Sequence, residues 1–206
     1  MRTRKDPRDR KQELVEACID VLGAHGHSGL TLAAVAKAAG VSTALIIVHF
    51  KSKEALLIEA LKWLGQSYFG ALHGSQFGDS DRPADKLWRL VDAEFSESSF
   101  PPRYLAAWKT FWTETDARRI YVKLFAPQTR YYLELTIELC RRINAEGGYA
   151  DHDPDVAAQL IDCTLGGLWI DMTVAATPLT LTQARRLARA QLALFFPRHF
   201  TIDGPR

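Results

Sequence analysis

Thr31 and Ser42 each stand at the head of an apolar run spaced for a helix. A hydroxyl there can cap the helix start, and with the first free amides it can hold a phosphate oxygen. Lys51 and Lys53 follow closely, and Arg2, Arg4, Lys5, Arg8, Arg10 and Lys11 crowd the N-terminus. This is chemistry suited to a nucleic-acid backbone, although the net charge of +2 is too small to imply that partner by itself. After Ser42 come Thr43, Ala44, Ile47 and Val48, a small and apolar set fitted to thymine methyls better than to arginine forks on guanine. A second group of residues points elsewhere. Trp108 and Trp112 are one helical turn apart, and with Tyr104, Phe111 and Trp169 they offer aromatic faces of the kind that hold a quaternary ammonium ion. Asp171 or Glu114 would balance its charge, while tryptophans at this spacing equally suit a packed core.

Catalytic and metal chemistry finds little support. There is no glycine-rich nucleotide loop, serine elbow or zinc-type histidine spacing, and His25, His27, His73, His152 and His199 are scattered. Asp151-His152-Asp153 precedes Pro154 and reads as a helix-entry loop rather than as a metal site. Neither metal nor cofactor is expected, and an all-helical enzyme is the weaker alternative. Cys18, Cys140 and Cys163 are far apart among apolar residues and read as buried thiols, with Arg141 and Arg142 beside Cys140 as the one hint of redox sensing.

The elements that must position these residues are helices. With 206 residues and 47% hydrophobic content the chain can bury its own core. No apolar stretch reaches a membrane span and the basic start does not resemble a signal peptide, so cytoplasmic residence is expected. Leu14, Cys18, Val21 and Leu22 mark a first helix ending at Gly23 to Gly26. Thr31 caps a short second helix through Val35, Ala36 and Ala39, which Gly40 closes by allowing positive φ. Leu45-Ile46-Ile47-Val48 has the propensity of a strand, but its surroundings favour a third short helix. Ser52 then caps a long connector through Leu57, Leu61, Leu64, Tyr68 and Leu72.

Beyond the polar loop at 74–82, helical spacing continues. Leu87, Val91 and Phe95 mark a fifth helix, and Pro101-Pro102 separates it from a sixth. A seventh carries Pro127, which should kink it or split it in two. Asp153-Pro154 opens an eighth, and Thr180 with Gln183 forms a capping box for a ninth. The fold class is all-α: residues 1–52 form a helix-turn-helix domain, and residues 53–206 form a helical body for ligand binding and dimerisation.

A helix-turn-helix needs a small residue at the crossing, a tight turn, and apolar residues facing inward, and Ala36, Gly40, Val41 and Ile46 supply them. The alternative is a helical hairpin in some other core. Thr31, Ala36, Gly40-Val41-Ser42, His49-Phe50 and Ser52-Lys53-Glu54-Ala55-Leu56 resemble the signature of TetR-family regulators over residues 10–57. Many members have glycine and tyrosine where this chain has Ala44 and Ile47, so a tyrosine contact to phosphate is missing here. Helix-turn-helix geometry brings Ser42, Thr43, Ala44 and Ile47 to the groove, and Thr31, Ser42, Lys51 and Lys53 are the candidates for phosphate contacts. His49 reads first as a packed helix end and only second as a DNA contact.

The same resemblance implies a small-molecule inducer, no catalysis, and a homodimer formed through helices eight and nine. Gly166-Gly167, Ala184, Ala188 and Ala193 would let paired helices approach, and a lone ninth helix would leave Leu187, Leu194 and Phe195 uncovered. Two-fold symmetry then predicts a palindromic operator. Ala107-Trp108, Phe111-Trp112, Gly167-Leu168-Trp169 and Pro178-Leu179 further resemble the BetI-like group of choline-responsive repressors of glycine-betaine synthesis. That likeness implies choline as the inducer, and the aromatic set Tyr104, Trp108, Phe111, Trp112 and Trp169 with Asp171 is the candidate site for it. A regulator of an efflux or other catabolic operon, answering to a different apolar or cationic ligand, is the alternative.

Overall fold

The computed structural model describes residues 7–97, 102–113, 115–151 and 153–206. Arg2, Arg4, Lys5, Glu114 and His152 lie outside the described residues, as does the side chain of Trp112. The described residues form α1 (Pro7–Gly29), α2 (Leu32–Ala39), α3 (Thr43–Phe50), α4 (Lys53–Ser75), α5 (Pro83–Glu94), α6 (Pro102–Thr113), α7 (Thr115–Gly147), α8 (Pro154–Val174) and α9 (Leu181–Phe195). Among them the only strand-like pairing is an isolated bridge between Phe200 and Pro205. None of these helices alone is long and apolar enough to cross a membrane.

Local chemistry sets the helix ends. Ser52 Oγ accepts the Ala55 amide at 3.1 Å, and Asp153 accepts the amides of Asp155 and Val156. Thr180 and Gln183 cap each other reciprocally, at 3.2 and 2.9 Å. One boundary differs from the sequence expectation, and of the two outcomes expected at Pro127, a kink or a split, the split does not occur. Helical geometry resumes after Gly26 (φ 66°, ψ −173°), so α1 is two helical pieces that meet at this glycine and end at Gly29. Pro127 does not split α7, which runs unbroken for 33 residues. Lys123, Ala126, Pro127 and Gln128 are all exposed, so water can satisfy the carbonyl that proline's missing N–H leaves open.

The chain packs as two compact units. The first comprises residues 1–66 and 101–124, and in it α1 lies along α6. The approach is close at Gly23, where a Cβ would stand 3.1 Å from that of Ala106, and Thr110 donates to the Leu22 carbonyl at 3.4 Å. Leu14, Cys18, Leu22, Ala107 and Phe111 are buried along this seam.

The second unit comprises residues 67–100 and 125–206, with α9 packed against both α5 and α8. Asp92 on α5 accepts from Arg185 Nε at 2.8 Å and Arg189 Nε at 2.6 Å, and the Arg189 guanidinium lies 5.1 Å from the Trp88 ring centroid. Burial alone would raise the Asp92 pKa, but the hydrogen bonds and charges of Arg185 and Arg189 outweigh it and hold the carboxyl below its ordinary 3.8.

The three cysteines divide. Cys18 and Cys140 are fully buried and burial pushes both thiols up to about 12, which removes thiolate chemistry from each. Arg141, the neighbour that hinted at redox sensing, is held by Asp155 at 2.8 and 2.7 Å. Cys163 corrects the expectation of burial: it is exposed, on a face of α8 that this chain leaves uncovered.

Asp92→Asn should lower stability at pH 7 by about 2 kcal/mol, the scale of a charged hydrogen bond. A depressed carboxyl pKa stabilises the fold above 3.8 and loses that contribution as the pH falls through the lower folded value. The gap between variant and parent in urea unfolding should therefore close in acid, and a gap that is independent of pH would contradict the arginine clamp.

Candidate DNA-reading head and aromatic body

α2 and α3 turn through 108°, within the range of a helix-turn-helix. Thr31 Oγ1 accepts the Ala34 amide at 3.0 Å and fixes the start of α2. Gly40 closes that helix in the left-handed region (φ 64°, ψ 35°), and the Val41 amide returns to the Ala36 carbonyl at 2.9 Å. Ala36 is buried at the crossing as its small size requires. Ser42 Oγ then accepts the Leu45 amide at 3.3 Å and starts α3.

The strand-prone Leu45–Val48 stretch is helical because this cap and the burial of Ile46 and Phe50 override β-propensity. Its other side is bare. Ser42, Thr43 and Ala44 are exposed, Ile47 is 50% exposed and Val48 is 76% exposed. Lys51 ends α3 with φ 66°, a left-handed position held by a non-glycine residue that the sequence did not reveal. His49 is half-buried with its ring centroid 6.2 Å from that of Phe50. Lys51 is exposed and Lys53 half-buried. Nearby, Lys11 lies 5.8 Å from the Phe50 ring centroid and pairs with Glu59 at 2.6 Å, which ties α1 to α4 behind the reading face.

The six residues expected at the ligand are distributed between the units. Tyr104, Trp108 and Phe111 belong to the first unit. Trp63 Nε1–H donates to the Tyr104 hydroxyl at 3.3 Å, and Trp108 packs against Phe111 and Tyr121 with ring centroids at 6.2 and 5.7 Å. Trp108 and Phe111 are buried. Trp112 lies on α6, and its side chain is outside the described residues. Trp169 and Asp171 belong to the second unit. Asp171 accepts the Leu179 amide at 3.0 Å and thereby pins the α8–α9 turn.

Trp169 stacks on Phe95 at 5.2 Å with planes 16° apart. Its indole lies beside Glu94, a residue that the sequence reading passed over. The signal was present: Leu87, Leu90, Val91, Glu94 and Phe95 follow the i, i+3, i+4, i+7, i+8 spacing of one helix face, so Glu94 holds a core position. Tyr68, which the connector stripe had marked as apolar packing, donates its hydroxyl to Glu94 Oε2 at 2.6 Å.

On α8, Val156, Leu160, Ile170 and Val174 are exposed and share the Cys163 and Gly167 side, while Leu187 and Leu194 are exposed on α9. Ala184 and Ala188 correct the expectation for a pairing surface. Both are completely buried within the single chain, where their small size serves the packing of α9 on its own neighbours. Among the described residues no cluster of His, Cys, Asp and Glu is arranged to hold a metal ion.

Comparison with known proteins places this geometry. Residues 11–60 match the family model described as bacterial regulatory proteins, tetR family, and residues 83–197 match that of the BetI-type transcriptional repressor, C-terminal. The HTH-type transcriptional regulator BetI of Escherichia coli K12 is 27% identical over 203 residues, covering 94% of this chain and 95% of that one. BetI of Agrobacterium fabrum is 29% identical over 186 residues, covering 86% and 84%. Among solved structures, a putative transcriptional regulator from Pseudomonas aeruginosa PAO1 superposes with a TM-score of 0.72 at 28% identity, covering 95% of this chain and 94% of that one. A putative transcriptional regulator from Saccharomonospora viridis, in complex with choline, shares the fold with a TM-score of 0.69 at 18% identity, covering 90% and 96%. This chain belongs to the TetR family of bacterial regulatory proteins, carries a C-terminal domain of BetI type, and is a transcriptional regulator rather than an enzyme.

Proposed function

We propose that the protein is a homodimeric cytoplasmic repressor of choline and glycine-betaine metabolism genes, released from a palindromic operator by a small quaternary ammonium inducer such as choline. One observation carries this reading: the likeness to BetI runs through both the DNA-reading helices and the helical body, over 94% of the chain. Residues 1–52 read DNA, and residues 53–206 receive the inducer and pair the subunits.

In this reading the bare edge of α3 enters the major groove. Thr43, Ala44 and Ile47 meet base edges, and the small apolar tip favours thymine methyls. Thr31 and Ser42, with the amides they leave free at their helix starts, hold phosphates together with Lys51 and Lys53. His49 supports the end of α3. A second copy covers the exposed apolar stripe of α8 and α9, which a lone chain would leave in water. Symmetry then sets the two copies of α3 about 34–36 Å apart, one turn of duplex.

The choline in the Saccharomonospora neighbour supports a ligand of that class. Trp169 is the residue of the expected aromatic set that this reading keeps at the cation, because a carboxyl group stands beside it. The inducer acts by binding the conformation that does not fit the operator more tightly, which shifts the population away from DNA.

Selection of bound fragments from random duplexes, followed by titration of choline into the complex, tests the whole reading. A palindromic sequence released by choline is expected; release by bulky lipophilic cations alone would favour an efflux regulator instead. Lys53→Ala should weaken binding to all sequences and flatten the salt dependence by about one ion, whereas Thr43→Ala should alter preference among sequences. Leu194→Arg places a charge on a side chain that is 79% exposed in the single chain. It should convert the dimer to a monomer in light scattering, and a dimer that survives this change would place the pairing surface elsewhere.

A further inference from the structure

Two carboxyl groups on α5, two residues apart, meet opposite surroundings. Asp92 is clamped by Arg185 and Arg189. Among the described residues, Glu94 has no Lys, Arg or His paired with it; Tyr68 and Trp169 stand beside it, and Asp162 is the nearby charge. Tyr68 donates to its Oε2 at 2.6 Å, and Trp169 reaches it from α8. Behind these, Tyr68 stands edge-on to Phe69 at 4.8 Å, Phe69 stacks on Tyr132 at 5.9 Å, and Phe95 stacks on Trp169. Glu94 keeps intermediate exposure, so its carboxyl group is deep without being sealed.

Burial pushes the Glu94 pKa up to about 7; Tyr68 and Trp169 oppose this, and the Asp162 charge adds to it. A desolvated anion of this kind is costly until a cation joins it, and aromatic rings are what a quaternary ammonium ion prefers around it.

We propose that Glu94 is the counter-ion of the inducer site, and that it selects a quaternary ammonium monocation held between its carboxylate and the rings of Tyr68 and Trp169. This rests on the reading that the inducer is a quaternary ammonium compound, and it adds two properties. A ligand that carries its own carboxylate, such as glycine betaine, is repelled by Glu94, so the site distinguishes choline from that zwitterion. Ligand binding also requires Glu94 to be ionised and is therefore linked to proton release. The titratable groups facing Glu94 are Tyr68 on α4, Tyr132 on α7 and Asp162 on α8. Tyr132 is raised above its ordinary 10 and keeps its proton throughout the neutral range.

Calorimetric titration of the full-length protein with choline and with glycine betaine from pH 6 to 8 tests this, using the parent, Glu94→Gln and Glu94→Asp. Circular dichroism verifies the fold of each variant. Parent affinity for choline should rise about tenfold over this range, as the carboxylate fraction grows around a pKa near 7. Glycine betaine should bind at least tenfold more weakly than choline at pH 8. Glu94→Gln should lose about tenfold or more at pH 8 together with its pH dependence, and Glu94→Asp should retain that dependence. If Glu94→Gln binds choline as tightly as the parent with the same profile, the assignment of Glu94 is overturned while the quaternary ammonium reading stands. If the parent binds neither choline nor tetramethylammonium at any pH, both are overturned. Should Glu94→Gln fail to fold, the parent still decides, since a flat profile for choline would exclude the carboxylate.

Discussion

The reading head depends on the burial of two residues, Ile46 and Phe50, in a helix of only eight. They face the inner side of the helix-turn-helix and anchor α3 to its unit, and once they are in place Thr43, Ala44, Ile47 and Val48 must face out. The left-handed Gly40 turn sets the angle at which this happens, and buried Ala36 permits the crossing. The exposure of Ile47 and Val48 is thus a consequence of anchoring the helix, and it carries a solvation cost that a duplex major groove can relieve. Placing Lys51 in a left-handed conformation ends α3 abruptly, two residues before α4 begins.

Much of this was legible because capping is local. Thr31, Ser42, Ser52, Asp153 and Thr180 all cap the helices that their spacing announced. Periodicity likewise identified the all-helical class. Long-range facts were less visible. Nothing in the spacing of Trp108 and Trp112 says that α6 packs along α1 in the same unit as the DNA-reading helices, because helical period fixes which face is apolar and not which partner covers it. Ala184 and Ala188 show the same ambiguity: small residues permit close packing, and the partner proved to be the chain's own core. Glu94 was passed over for the opposite reason. A glutamate is most often a solvated charge, so its residue type conceals the core position that its spacing on α5 gives it.

Asp92 and Glu94 show how environment gives two similar groups different roles. The first faces two guanidinium groups, stays ionised, and fastens α5 to α9. The second has a tyrosine hydroxyl and an indole for company, and its charge is unfavourable there without help. A structural ion pair is complete within the fold; a desolvated acid held by a tyrosine hydroxyl is not, and such incompleteness is the usual mark of a binding site. Their spacing matters too, because residues two apart on a helix point to different sides.

α8 connects the two proposed activities of the second unit. On one side Leu168 and Trp169 are buried, and on the other Leu160, Ile170 and Val174 are exposed, the face proposed for pairing. A ligand that alters the packing of Trp169 acts on the helix whose opposite face would meet the second subunit, so its effect need travel only the width of one helix to reach the pair. Interiors packed at crystal-like density do not absorb such changes by continuous deformation, which favours movement between discrete arrangements. Linkage also runs in reverse: if inducer weakens operator binding by some factor, operator must weaken inducer binding by the same factor. A carboxylate that must ionise to receive its ligand would then make that exchange depend on pH, with DNA, cation and proton acting on one equilibrium.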